Sequence, residues 1–260
     1  MDALVIDAGT DRLSVQLNRP EVRNAIDRQM VDELHAVCAD LERDPRILIL
    51  SGTEGVFASG ADIAELRERR RDDALAGINS TLFTRIARLP MPVIAALDGY
   101  ALGGGAELAF AADFRIGTPR LKIGNPETGL GILPAAGATW RLRELVGEPL
   151  AKEILLAGRI LDAEEALAAR LITGIHPVED LLSAAHGLAD RIARQDPLAT
   201  RITKSVFSAP RDAHPMIDQL AQAVLFESDA KFERMQAFLT KKDLTRKDTT
   251  SKDTDRKKQK

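Results

Sequence analysis

Val93-Ile94-Ala95-Ala96-Leu97-Asp98-Gly99-Tyr100-Ala101-Leu102-Gly103-Gly104-Gly105-Ala106-Glu107 decides how this chain folds. A compact aliphatic strand, Val93 to Leu97, runs into a loop with three consecutive glycines, and Leu108 to Ala112 continues as a helix. The same order recurs upstream. Ile47 to Leu50 reads as a strand followed by the loop Val56-Phe57-Ala58-Ser59-Gly60-Ala61-Asp62-Ile63 and a helix beginning near Ala64. Downstream, Phe114 to Ile116 is a third short strand. Strands alternating with helices predict an α/β architecture.

Working outward, Ala3 to Asp7 and Arg12 to Leu17 form a hairpin around Gly9-Thr10-Asp11. Met30, Val31, Leu34, Val37, Cys38 and Leu41 recur at three and four residues, the stripe of an amphipathic helix that ends by Pro45. Leu75, Ile78, Leu82, Phe83, Ile86 and Leu89 keep the same spacing and predict one helix up to Pro90. Ile154 to Leu171 reads as helical segments broken at Gly158. Val178 to Ala193, Leu198 to Phe207 and Pro215 to Leu239 are helical. The expected organisation is an α/β core over 1–196, a helical region over 197–239 and a basic, disordered tail over 240–260.

The 260 residues are 45% hydrophobic and 29% charged, enough for a substantial core. No run approaches the ~20 apolar residues of a membrane span, and the N-terminus lacks the layout of a secretory leader. A cytoplasmic protein with no membrane partner is expected. The single cysteine, Cys38, permits no internal disulfide and falls on the apolar stripe of its helix, where it is structural. The net charge of −3 divides into +5 over 240–260 and −8 over the rest. The tail could attract nucleic acid, but a solvated terminus is the expected reading.

The glycine loop can serve two ends. It can make a tight strand-to-helix crossing, or it can expose N–H groups at a helix N-terminus to a developing negative charge. Leu108 stands where a third glycine would complete a dinucleotide fingerprint, and no zinc-ligand spacing or nucleophile elbow occurs. In the loop Gly124-Asn125-Pro126-Glu127-Thr128-Gly129-Leu130-Gly131-Ile132-Leu133-Pro134-Ala135-Ala136-Gly137, Glu127 is the one ionisable residue. Small and apolar neighbours could raise its pKa toward that of a general acid; otherwise it is a solvated loop carboxylate. Asp62 is placed to cap the helix that follows it.

Together these segments resemble the enoyl-CoA hydratase/isomerase (crotonase) family in order from about Leu4 to Leu239. Arg19-Pro20-Glu21-Val22-Arg23-Asn24-Ala25 is similar to its N-terminal motif, and Leu156 to Arg159 with Ala163 to Ala166 completes the series. The resemblance implies a ββα spiral core. It implies that the amides of Ala61 and Gly104 form an oxyanion hole, and that Glu107 and Glu127 are the acid/base pair. Glu107 would activate water and Glu127 would protonate Cα. Arg23 and Ala25, with Ala58, Ser59, Gly60, Ala61, Asp62 and Ile63, would line a coenzyme A site. Tyr100, Leu130 and Ile132 are candidates for the acyl pocket or for the core.

The resemblance further implies an acyl-CoA thioester as substrate, no cofactor besides that coenzyme A, and a homotrimer or a dimer of trimers. Ser59, Ala64 and Ala138 depart from residues common in the family. The reaction it implies is hydration of a 2-enoyl-CoA. Double-bond isomerisation, dehydration of a specialised hydroxyacyl-CoA and a non-catalytic CoA- or RNA-binding role stay open.

Overall fold

The computed structural model describes residues 2–240. The basic stretch from 241 onward therefore lies outside the described residues. The chain divides into one compact unit that runs to Gln195 and a second that begins at Asp196.

In the first unit, β1 (Leu4–Ala8) and β2 (Arg12–Leu17) form the expected hairpin. Asp27 caps α1 (Arg28–Arg43), its carboxylate accepting from the Met30 amide at 2.8 Å. Three ββα passages follow. The first is β3 (Ile47–Ser51), β4 (Val56–Ala58) and three helices, α2 (Ile63–Glu68), α3 (Arg71–Ala76) and α4 (Ile78–Ala87). The second is β5 (Val93–Leu97), β6 (Tyr100–Leu102) and α5 (Gly104–Phe110). The third is β7 (Phe114–Gly117), β8 (Lys122–Gly124) and, after the 3-10 turn Glu127–Leu130, α6 (Ala138–Val146) and α7 (Glu148–Ala157). Then come β9 (Ile160–Asp162), α8 (Ala163–Ala168) and α9 (Leu181–Ala193).

Each passage contributes one strand to each of two sheets, so the chain spirals. The larger sheet has the order β1-β2-β3-β5-β7 and the smaller β4-β6-β8-β9. Within the larger sheet β2, β3, β5 and β7 are parallel, and both faces are covered, as parallel strands require. Leu48, Leu50, Val93, Ala95 and Leu97 belong to the cluster that includes the apolar stripe of α1. Their neighbours Ile47, Ile49, Ile94 and Ala96 pack with Ile116 against Leu181, Ala185, Ala189 and Ile192 of α9.

Two elements differ from the pattern read in the sequence. The helix expected through Leu75 to Leu89 is two helices, because Gly77 adopts φ 61° and ends α3 before α4 starts. Residues Ile160 to Asp162, expected within a helical stretch, form an antiparallel strand on β8. Cys38 is buried, and its thiol pKa is pushed up to about 12 by burial. The second unit holds α10 (Pro197–Phe207), α11 (Met216–Phe226) and a helical stretch over 229–240. Among the described residues no helix is long and apolar enough to cross a membrane.

The crossing of α5 over β4 sets the distance between the two glycine loops. A Cβ on Gly105 would overlap the carbonyl of Ala58, a backbone atom that cannot swing aside. Gly105→Ala is therefore expected to destabilise the protein by about 1–3 kcal/mol in urea unfolding, and wild-type stability in that variant would show that the crossing has slack.

Candidate active site

Strands β4, β6 and β8 run parallel, with Ala58 opposite Ala101 after a one-residue register shift in β4 and Leu102 opposite Gly124. Three loops consequently leave the same edge, at the carboxyl ends of the strands, where ligands bind in parallel α/β sheets. They are Ser59–Asp62, Gly103–Gly104 and Asn125–Glu127.

The first loop is braced by the Arg19–Ala25 segment. Ile26 donates its amide to the Gly60 carbonyl at 2.8 Å and accepts from the Asp62 amide at 3.0 Å, forming a parallel bridge opposite Ala61. That alternation turns the Ala61 N–H away from its bridge partner. Asn24 is fully buried with φ 55°. Its Oδ1 accepts from the Arg19 amide at 2.8 Å and the Thr53 hydroxyl at 3.1 Å, while Nδ2 donates to the Val56 carbonyl at 2.8 Å. The Arg19 guanidinium pairs with Asp27 at 3.0 Å and Asp62 at 3.7 Å and donates to the Ala25 carbonyl at 2.6 Å. Asp62 caps α2, accepting from the amides of Ala64 and Glu65.

The second loop brings Gly104 beside that brace. A Cβ on Gly104 would stand 3.4 Å from the Ala61 nitrogen. Gly104 is the first residue of α5, so its N–H has no partner within the helix. Neither amide is bonded to an acceptor among the described residues. Two unpaired backbone N–H groups thus belong to neighbouring residues in the lining of one cavity.

Glu107 lies one turn along α5 and is buried. Its Oε1 accepts from the amides of Ala136 at 2.7 Å and Ala138 at 3.1 Å, the loop leading into α6. Burial pushes its pKa up to about 7; the backbone amides oppose the shift and the charge of Glu127 adds to it. Glu127 is also buried and its pKa is raised, chiefly by burial, against its own backbone hydrogen bond and that of Asn125. Asn125 Nδ2 reaches both Glu127 Oε1 and the Gly103 carbonyl at 3.3 Å, while Glu127 Oε2 is inaccessible and unpaired. Gly103 makes room for this carboxylate. It adopts φ 53°, and a Cβ there would press to 3.1 Å on Glu127 Oε1.

A cavity of about 560 Å³ joins these parts. Of the residues singled out in the sequence, Ser59, Gly60, Ala61, Ile63, Gly104, Glu107, Glu127, Leu130 and Ile132 line it. Ala58 lies beneath in the core, and Asp62 acts as a helix cap outside the lining. Tyr100 stands outside the lining too, with the Arg23 guanidinium 4.8 Å above its ring, and Ala25 is buried in the brace. Arg19, Asn24, Asn125 and Asn79 are the contributors that pattern reading assigned no role. Asn125 carried a signal in standing between Gly124 and Pro126, and Asn24 in lying within the Arg19–Ala25 motif. Among the described residues no group of three or more His, Cys, Asp or Glu side chains is arranged to hold a metal ion.

The family model for enoyl-CoA hydratase/isomerase matches residues 12–248. A probable enoyl-CoA hydratase of Mycobacterium leprae is 34% identical over 248 residues, covering 93% of this chain and 96% of the relative. A crotonyl-CoA hydratase of Syntrophomonas wolfei is 34% identical over 235 residues, covering 87% and 90%. Among solved structures, an enoyl-CoA hydratase from Bacillus anthracis superposes with a TM-score of 0.87 at 31% identity, over 92% of this chain and 96% of that one. With the ββα spiral and both glycine loops in place, the chain belongs to the enoyl-CoA hydratase/isomerase family and has its crotonase fold.

Proposed function

We propose that the protein is an enoyl-CoA hydratase that adds water across the double bond of a 2-enoyl-CoA thioester. The observation that carries this reading is a pair of buried carboxyl groups, Glu107 and Glu127, in one cavity with two unpaired backbone donors. In this reading the Ala61 and Gly104 amides hold the thioester oxygen as it gains enolate charge. With Glu107 Oε1 held by two amides, Oε2 takes a water and removes its proton as the oxygen bonds to C3. Glu127, whose unpaired Oε2 suits a neutral carboxyl, gives a proton to Cα. One proton then returns from Glu107 to Glu127, and the two titrate as a coupled pair. Coenzyme A is part of the substrate, running past Arg23, Ala25 and the Ser59–Ile63 segment.

We also infer self-association. In the second unit Met216, Leu220 and Val224 form an exposed stripe at four-residue spacing on α11, and Phe207 is 88% exposed. Apolar patches of this kind mark interaction surfaces. Light scattering is expected to give a mass of three or six chains, and Leu220→Asp with Val224→Asp to lower it; a monomeric wild type sinks the idea.

Hydration of crotonyl-CoA, followed by loss of the conjugated thioester absorbance, tests the activity. Glu107→Gln and Glu127→Gln should each lower kcat by about 10²- to 10⁴-fold. Wild-type protein that binds enoyl thioesters but only moves their double bond would replace hydratase with isomerase.

The raised pKa of Glu107 also predicts how stability depends on pH. Between about 4.5 and about 7 the folded carboxyl is protonated and the unfolded one is not, so stability is present below this window and is lost as pH rises through it. Glu107→Gln should therefore be more stable than wild type at pH 8, by up to about 3 kcal/mol. The difference should vanish near pH 4. A gap that does not change with pH in urea titrations would contradict the buried, protonated carboxyl.

A further inference from the structure

Asn79, the second residue of α4, lines the cavity beside Gly104, and its carboxamide makes no hydrogen bond to any described residue. Oδ1 is inaccessible and unpaired, and Nδ2 lies 3.7 Å from where a Cβ of Gly104 would stand. The cavity wall around it mixes apolar residues such as Leu66, Ile78 and Ile132 with polar ones such as Asp73 and Ser80. Asn79 is half-buried, and its inaccessible Oδ1 has lost water without gaining a partner in the protein, which costs stability relative to an apolar side chain. The group therefore has no task in holding the structure, and it stands within reach of whatever the oxyanion donors hold.

We propose that Asn79 selects acyl groups that carry a hydroxyl near the reacting double bond over plain alkyl chains. This rests on the reading of the site as a 2-enoyl-CoA pocket. With coenzyme A along Ser59 to Ile63, the acyl chain leaves the thioester on the other side of Gly104, past α4. A hydroxyl can accept as well as donate, so it can take a hydrogen bond from Nδ2, the end of the carboxamide that is not closed off as Oδ1 is. A carboxylate beside the double bond fits less well, since Glu107 and Glu127 already occupy the cavity there, although Arg69 and Arg70 also line its wall. A methyl in place of the hydroxyl would leave the amide unpaired, the situation in which a polar site rejects an apolar isostere.

The test compares trans-4-hydroxycrotonyl-CoA with trans-2-pentenoyl-CoA, which exchange only hydroxyl for methyl. Wild type is expected to favour the hydroxyl compound by about tenfold or more in kcat/KM. In Asn79→Leu the ratio should fall to one or below. That variant should melt no lower than wild type, since the amide makes no bond within the fold. Dissociation constants of the same pair on Glu107→Gln, where turnover is blocked, report the preference without chemistry. If wild type hydrates no enoyl thioester, the hydratase reading falls while the preference is still measured. Equal affinities for the two compounds, or a ratio that Asn79→Leu leaves unchanged, overturn the proposal. A lower melting temperature with both affinities reduced together would assign Asn79 to the fold instead.

Discussion

Helix α5 crosses β4 at a separation that leaves no space for a Cβ on Gly105, and most of the site follows from that contact. It brings the first residue of α5 beside Ala61, so two amides from segments more than forty residues apart face one point. It also fixes where Glu107 stands, because a side chain one helical turn from Gly104 must project into the same cavity. The contact is backbone against backbone. It therefore has the stiffness of two hydrogen-bonded elements, which an arrangement of long side chains would lack, and preorganised donors act only if they do not relax.

That stiffness has to be held against an electrostatic cost. Two buried carboxyl groups share one cavity, and the charge of Glu127 adds to the burial that keeps Glu107 from ionising. The fold answers differently for each. Glu107 is given two amides from the Ala136–Ala138 turn, which stabilise its ionised form and fix its orientation. Glu127 receives only the Asn125 amide and keeps one oxygen unpaired, so its neutral form is the better tolerated. The surroundings thus differ in what they hold fixed, Glu107 by two backbone amides and Glu127 by one side-chain amide, while burial raises the pKa of both.

The larger sheet was legible in the sequence because β3 and β5 are five-residue runs of buried aliphatic side chains and β2 alternates buried with half-buried residues, signals that local pattern provides. The smaller sheet was not. Val56–Ala58, Tyr100–Leu102 and Lys122–Gly124 are three residues each, too short for any period, and they are strands only because β3, β5 and β7 deliver them side by side. The two glycine loops and both glutamates could be singled out from residue type and spacing. The brace could not, since Arg19 meets Asp62 and Asn24 meets Val56 across more than thirty residues of chain. Gly77 shows the reverse case, where an apolar spacing runs across a real break although only α4 uses it: Leu75 on α3 is exposed, while Leu82, Phe83 and Ile86 on α4 are buried.

The polar groups buried in this molecule sort by whether the protein completes them. In the brace, Asn24 has both ends of its carboxamide bonded, and Arg115 in the core donates to the carbonyls of Leu171 and Ala112 at 2.8 and 2.5 Å. These groups hold elements together and need nothing further. Of the five buried, unpaired side-chain polar atoms among the described residues, three belong to Asn79, Asn125 and Glu127, around the cavity. The other two belong to Arg46 and Arg141, away from the cavity lining, and each unpaired group makes the fold less stable at its site than it could be. Around the cavity, that deficit is what a ligand with matching polar atoms would remove, so binding energy at this site is set by the unpaired groups as much as by the apolar wall around them.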